Sequence, residues 1–140
     1  MLIAVIDGQG GGIGKSLVEL LKESLGDKHT IIALGTNPLA TSLMLKAGAD
    51  MGASGENAIV VNAPKADIIV GSIGIIAADA MLGEVTPAMA RAVAASSAEK
   101  VLIPINRCGI TVAGVVDEPL PYYINNAVET IKRIVEQDGL

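Results

Sequence analysis

Leu2-Ile3-Ala4-Val5-Ile6-Asp7-Gly8-Gln9-Gly10-Gly11-Gly12-Ile13-Gly14-Lys15-Ser16 is the stretch on which the fold turns. Its first five residues are an unbroken apolar run, the pattern of a strand buried on both faces. Five of the seven residues from Gly8 to Gly14 are glycine. A helical period follows, with Ile13, Leu17, Leu20, Leu21 and Leu25 on one face and Lys15, Glu19, Lys22 and Glu23 on the other. Strand, glycine loop and helix in that order predict the first half of a parallel β-α-β unit. Glycine serves such a loop where the chain turns sharply, where helix and strand approach closely, or where backbone must touch a ligand.

The rest of the chain continues the alternation. Thr30–Leu34 reads as a second buried strand, and Asn37-Pro38 as a capped helix start for a helix to about Ala47. Ala58–Val61 has strand composition, yet too little chain separates it from the clear strand Ile68–Gly71. We therefore read a short helix over 56–63. Ile73–Leu82 reads as helical in part, and Thr86-Pro87 starts a helix through about Ser97. Val101–Ile105 is a fourth strand and Thr111–Val116 a fifth, with a last helix after Pro119 and Pro121. The expected fold is α/β: one three-layer Rossmann-like domain over residues 1–140. It holds a mostly parallel sheet of about five strands with helices on both faces and the first strand near the centre.

Composition narrows the function. Hydrophobic residues make up 51% and charged ones 18%, with no Phe, no Trp and two Tyr. An aromatic stacking platform for single-stranded nucleic acid is therefore absent. Ten Lys and Arg face 15 Asp and Glu, a net charge of −5, which argues against a nucleic-acid or anionic-membrane surface. No apolar run reaches the length of a membrane span, so a cytoplasmic protein is expected. One cysteine, Cys108, and one histidine, His29, leave no multi-cysteine or histidine metal site and no Ser-His-Asp triad. Cys108 reads as a small buried apolar side chain rather than a nucleophile.

The loop admits three readings. Its N–H groups at a helix start favour a phosphate, and a G-x-x-x-G-x-G spacing fits Gly8, Gly12 and Gly14. The string Gly12-Ile13-Gly14-Lys15 resembles short-chain dehydrogenases, which implies an NAD(P)-type dinucleotide. The Y-x-x-x-K pair of those enzymes is missing, since Asn126 and Ala127 stand at that spacing from Tyr122 and Tyr123. A P-loop, with Lys15 and Ser16 serving ATP or GTP and Mg²⁺, fits from Gln9 to Ser16 except that Gln9 replaces its first glycine. The third reading is a bare turn in a non-catalytic assembly protein.

The expected ligand contacts are Gly8, Gln9, Gly10, Gly11, Gly12, Ile13 and Gly14 in the loop, Thr36 and Asn37 after the second strand, Gly71, Ser72 and Gly74 after the third, and Asn106 and Arg107 after the fourth. Thr36, Asn37 and Thr41 would address a ribose, because the second strand lacks the usual terminal acid. The Arg107 fork suits a phosphate or carboxylate, with a surface salt bridge as the competing role. Asp7, Asp79 and Glu84 read as caps or solvated acids rather than a Mg²⁺ set, and Glu84 as the lead into the Thr86 helix. The helix from Pro38 carries only Lys46 as a charge, so a homodimer or larger assembly, or residues 50–66 folding back, should cover its outer face.

As a set, Ile6–Lys15, Ala33–Asn37, Gly48–Asp50, Gly55–Ala58, Gly83–Pro87 and Ile103–Cys108 resemble a family of short bacterial proteins that carries a domain-of-unknown-function label. The resemblance spans residues 1 to about 118. It implies a stand-alone Rossmann-like domain and no particular activity.

Overall fold

The computed structural model describes residues 1–105 and 108–138. Five strands form one sheet: β1 (Leu2–Asp7), β2 (Thr30–Gly35), β3 (Met51–Ser54), β4 (Ile68–Ser72) and β5 (Glu99–Ile103). Their spatial order is β3-β2-β1-β4-β5, and every pairing is parallel. β1 is thus the middle strand, and the sheet is the doubly wound, Rossmann-like one that the alternation predicts.

Alternate residues of β1 feed two cores. Ile3 and Val5 pack with Leu17, Val18 and Leu21 of α1 (Gly12–Leu25) and with Ile124, Val128 and Ile131 of α5 (Leu120–Asp138). Met44 of α2 (Pro38–Lys46) joins them on that face. Ala4 and Ile6 pack with Ile59 of α3 (Glu56–Asn62) and with Met89 and Val93 of α4 (Pro87–Ala95) on the other. Because β1, β2 and β4 are covered on both sides, their sequences show apolar runs with no polar alternation.

The predicted fifth strand at 111–116 is not a strand. Those residues are irregular and mostly exposed, with Gly114 at φ +83° in a turn. Despite their β-branched composition they do not pair with the edge strand β5, and the chain there crosses from β5 toward α5. The fifth strand is β3, at the other edge. Met-Gly-Ala-Ser has weak strand propensity, and it pairs only because the chain after α2 returns alongside β2. The short helix expected over 56–63 is α3. After β4 the chain makes one 3-10 turn at Ile73–Ile76 and then tight turns as far as Gly83, so the helical expectation for 73–82 holds only at its start. Among the described residues, no helix is long and apolar enough to cross a membrane.

Candidate functional site

Strand order reverses between β1 and β4, and the carboxyl ends of these strands open a crevice there. A cavity of about 290 Å³ occupies it. Its floor is the loop from Gly8 to Ile13, and Ser72, Met81, Ile105, Cys108 and Leu120 form its walls. Three of the strand ends meet in it: Asp7 closes β1, Ser72 closes β4, and Ile105 follows β5.

The five loop glycines divide by physical role. Gly8, Gly11 and Gly14 are buried, whereas Gly10 and Gly12 are exposed. A Cβ on Gly14 would lie 2.6 Å from Met44 Sδ and 2.9 Å from Asp7 Cβ. One on Gly11 would lie 2.9 Å from Ala40 Cα, and Gly11 also has φ +74°. Packing of α1 and α2 against the loop therefore demands glycine at both. A Cβ on Gly10 or Gly12 would meet no heavy atom within 4 Å, and neither residue has a left-handed φ. Neither the fold nor the backbone conformation requires glycine there, and both line the cavity.

Below the loop lies Asp7, only 5% exposed. Its Oδ1 accepts the Gly8 N–H at 2.8 Å and its Oδ2 the Gly14 N–H at 2.6 Å. Burial pushes this carboxyl above the ordinary aspartate value; the Gly14 and Gly8 N–H groups pull it back, and the neighbouring Glu84 charge adds to the rise. Asp7 is thus a buried carboxyl group at the start of α1 rather than a solvated acid. Helix geometry leaves the N–H groups of Gly12, Ile13 and Gly14 without intrahelical acceptors. Asp7 takes the last of these, while Gly12 and Ile13, like the exposed Gly10, border the cavity.

Glu84 has a role that its sequence context conceals. Its Oε1 accepts hydrogen bonds from Gln9 N–H at 2.8 Å, Thr36 Oγ1 at 2.7 Å and Asn37 Nδ2 at 2.8 Å. The Gln9 N–H does most to hold Glu84 below the ordinary glutamate value; partial burial opposes it, and Thr36 and Asn37 add to the lowering. Glu84 is therefore a brace across the sheet edge rather than a solvated acid leading into α4. Asp79 sits at φ +66° in the turns that carry it. Among the described residues, no group of three His, Cys, Asp or Glu side chains is placed to hold a metal ion.

The predicted contacts fall into three groups. The loop residues Gly8–Ile13, with Ser72 and Gly74, come together on the cavity. Thr36 and Asn37 do not line it; Thr36 is held by Glu84, and Asn37 caps α2 through the Ala40 N–H at 2.9 Å while also bonding Glu84. Thr41 is buried, accepting from Gly35 N–H and Ser54 Oγ. Gly71 faces β1, where a Cβ would lie 2.5 Å from Ile6 O, so it serves strand packing. Asn106 and Arg107 lie outside the described residues, although Ile105 and Cys108 on either side line the cavity. Cys108 is half-buried in the cavity wall, not fully buried as its apolar reading implies. His29 stands just before β2, at the sheet edge away from the cavity.

A family model described as a domain of unknown function (DUF3842) matches residues 2–136. The chain belongs to that family. Comparison of this DUF3842 chain with curated proteins returned no match. Among solved structures, it is similar to a dodecameric FMN-dependent UbiX-like decarboxylase from Escherichia coli O157:H7. The two share 15% identity at a TM-score of 0.48, over 99% of this chain and 95% of that one.

Met81 and Leu120 are cavity residues of the DUF3842 chain that the sequence did not single out. Met81 arrives through a run of left-handed residues, Asp79, Met81 and Leu82, which no turn motif announces. Leu120 arrives from the far end of the chain, where the start of α5 swings under the loop.

Proposed function

We propose that the chain binds a nucleotide or similar phosphorylated small molecule, its phosphate resting on the Gly10–Ile13 backbone. The observation that carries this is the pair Gly10 and Gly12. Both are glycine without any steric or conformational demand from the protein itself, and both border the cavity. A side chain at either would stand between the α1 N-terminus and whatever approaches it. Backbone N–H groups at a helix start, with the helix dipole behind them, favour an anion. The position at the switch point of a doubly wound sheet supports the same reading.

NAD(P) is the dinucleotide version of this proposal, with the chain acting as a sensor or beside a partner that supplies chemistry. The P-loop version receives less support. Lys15 is exposed on α1 and is not among the residues that border the cavity.

A thermal-shift screen tests the proposal, using AMP, NAD(H), NADP(H), ATP and GTP, each with and without Mg²⁺, and S-adenosylmethionine. At least one phosphate-bearing compound should raise the melting temperature of the wild type and not of Gly12→Val. If none does, or if the variant responds equally, the loop is a bare turn. A response that requires Mg²⁺ would instead favour the P-loop version.

A further inference from the structure

We propose that Glu84 closes the β2 side of the crevice, so that the site takes a compact phosphate monoester of single-nucleotide size rather than a dinucleotide. This rests on the phosphate reading above and narrows it.

A dinucleotide in a doubly wound sheet straddles the switch point. One of its nucleotides lies beyond the end of the second strand, where an acid accepts the ribose hydroxyls. In this chain that ground is filled from within. Glu84 Oε1 takes donors from both banks at once, Gln9 N–H from the loop and Thr36 Oγ1 and Asn37 Nδ2 from the end of β2. Asn37 Nδ2 also reaches the Gln9 carbonyl at 3.1 Å. Loop and strand end are therefore tied directly together, with a carboxylate where a ribose would have to pass. Its negative charge opposes any phosphate group on that side as well.

The segment that delivers Glu84 is a built feature. It lies on the loop: a Cβ on Gly8 would be 2.7 Å from Met81 Sδ and 3.2 Å from Glu84 Oε1. Left-handed backbone at Asp79, Met81 and Leu82, costly for side-chain-bearing residues, is held by Asp79 N–H to Val85 O at 2.7 Å and by Val85 N–H to Ala80 O at 3.1 Å. Met81 packs over Gly8 and borders the cavity with it.

What remains open is the half between β1, β4 and β5. Its volume of about 290 Å³ sits at the lower end of the range for small-molecule sites, roughly 300–1,000 Å³. Among the described residues, Ile13, Ala80, Met81, Ile105 and Leu120 make its walls largely apolar. Such walls suit an uncharged, flat or apolar group attached to the phosphate rather than a second charged nucleotide.

Isothermal titration with AMP, nicotinamide mononucleotide and NAD⁺ tests this, because NAD⁺ contains both mononucleotides. The tighter-binding mononucleotide should bind the wild type more tightly than NAD⁺, at least tenfold where the closure is complete. In Glu84→Ala, hydrogen exchange of the Gln9 amide should accelerate at least tenfold, since its acceptor is gone. Glu84→Gln, which keeps an acceptor oxygen, replaces it should the alanine variant not fold, with a smaller acceleration expected. NAD⁺ binding as tightly as, or more tightly than, the better mononucleotide would overturn the closure and leave the phosphate reading standing. Unchanged Gln9 exchange in Glu84→Ala would overturn it without reference to any ligand. Binding of none of the three compounds would overturn the single-nucleotide reading; the phosphate reading falls with it only if no compound of the thermal-shift screen stabilises the wild type.

Discussion

The Asp7 carboxylate accepts the Gly14 N–H at 2.6 Å, so the first turn of α1 closes on a carboxyl group supplied by its own chain. The loop is thereby layered. Asp7 accepts the inner N–H groups of Gly8 and Gly14, whereas Gly10, Gly12 and Ile13 border the cavity. Asp7 borders the cavity as well, but both of its carboxylate oxygens are engaged by loop N–H groups.

That position makes Asp7 a source of pH dependence. Its value in the folded protein is raised, chiefly by burial. Proton binding then favours the folded state, so this contribution is fully present below the unfolded value, about 3.9, and is lost as pH rises through the raised folded value. Urea unfolding of wild type and Asp7→Asn across pH 4 to 8 should show the wild type gaining on the variant as pH falls. Parallel curves would mean that Asp7 titrates normally.

The glycines should separate in stability measurements. Gly12→Ala should leave unfolding free energy within about 1 kcal/mol, since the added methyl meets open space at a helical position. Gly14→Ala should cost about 1–3 kcal/mol, because the methyl is forced against Met44 and Asp7. Denaturant midpoints of the two variants check this; equal losses would contradict the division.

Glu84 should matter for stability although it is only half-buried. Glu84→Ala leaves three donors without their acceptor and is expected to cost about 1–3 kcal/mol. Its folded value is lowered, chiefly by the Gln9 N–H. The contribution is thus present above the ordinary glutamate value, about 4.3, and lost as pH falls through the lowered one. The difference between wild type and Glu84→Ala in urea should shrink on acidification, opposite in sense to the Asp7 comparison.

The outer face of α2 is expected to pair with a second copy. Met44 is fully buried and Leu43 packs toward Gly11, but Leu39 and Leu45 remain 59% and 41% exposed. Residues 50–66 leave both exposed; β3 runs beside β2 and brings Gly52 against Leu45. An apolar strip of this kind on a surface helix is a usual mark of an interface, and a two-fold pair is the commonest closure. Light scattering at micromolar concentration should give about twice 14.2 kDa, and Leu39→Lys should lower it. A mass near 14.2 kDa for the wild type would rule the pair out.

Local signals were enough to read most of the fold. Apolar runs at β1, β2 and β4 reflect burial on both faces, and Asn37-Pro38 and Thr86-Pro87 mark helix starts through a side-chain cap and a preset φ. These cues lie within a few residues of the feature they specify, so a linear reading finds them. The glycine loop was legible for the same reason. Which of its glycines serve packing and which border the cavity was not, because the deciding atoms, Met44 Sδ and Ala40 Cα, belong to another helix. β3 was hidden because Met51–Ser54 pairs by proximity to β2 and not by its own propensity. Asp7 and Glu84 read as ordinary surface acids, since burial and hydrogen-bond partners are properties of the packed state. Glu84 meets Gln9 across 75 residues of chain, and only the tertiary structure brings a carboxylate and an N–H that far apart in sequence to 2.8 Å.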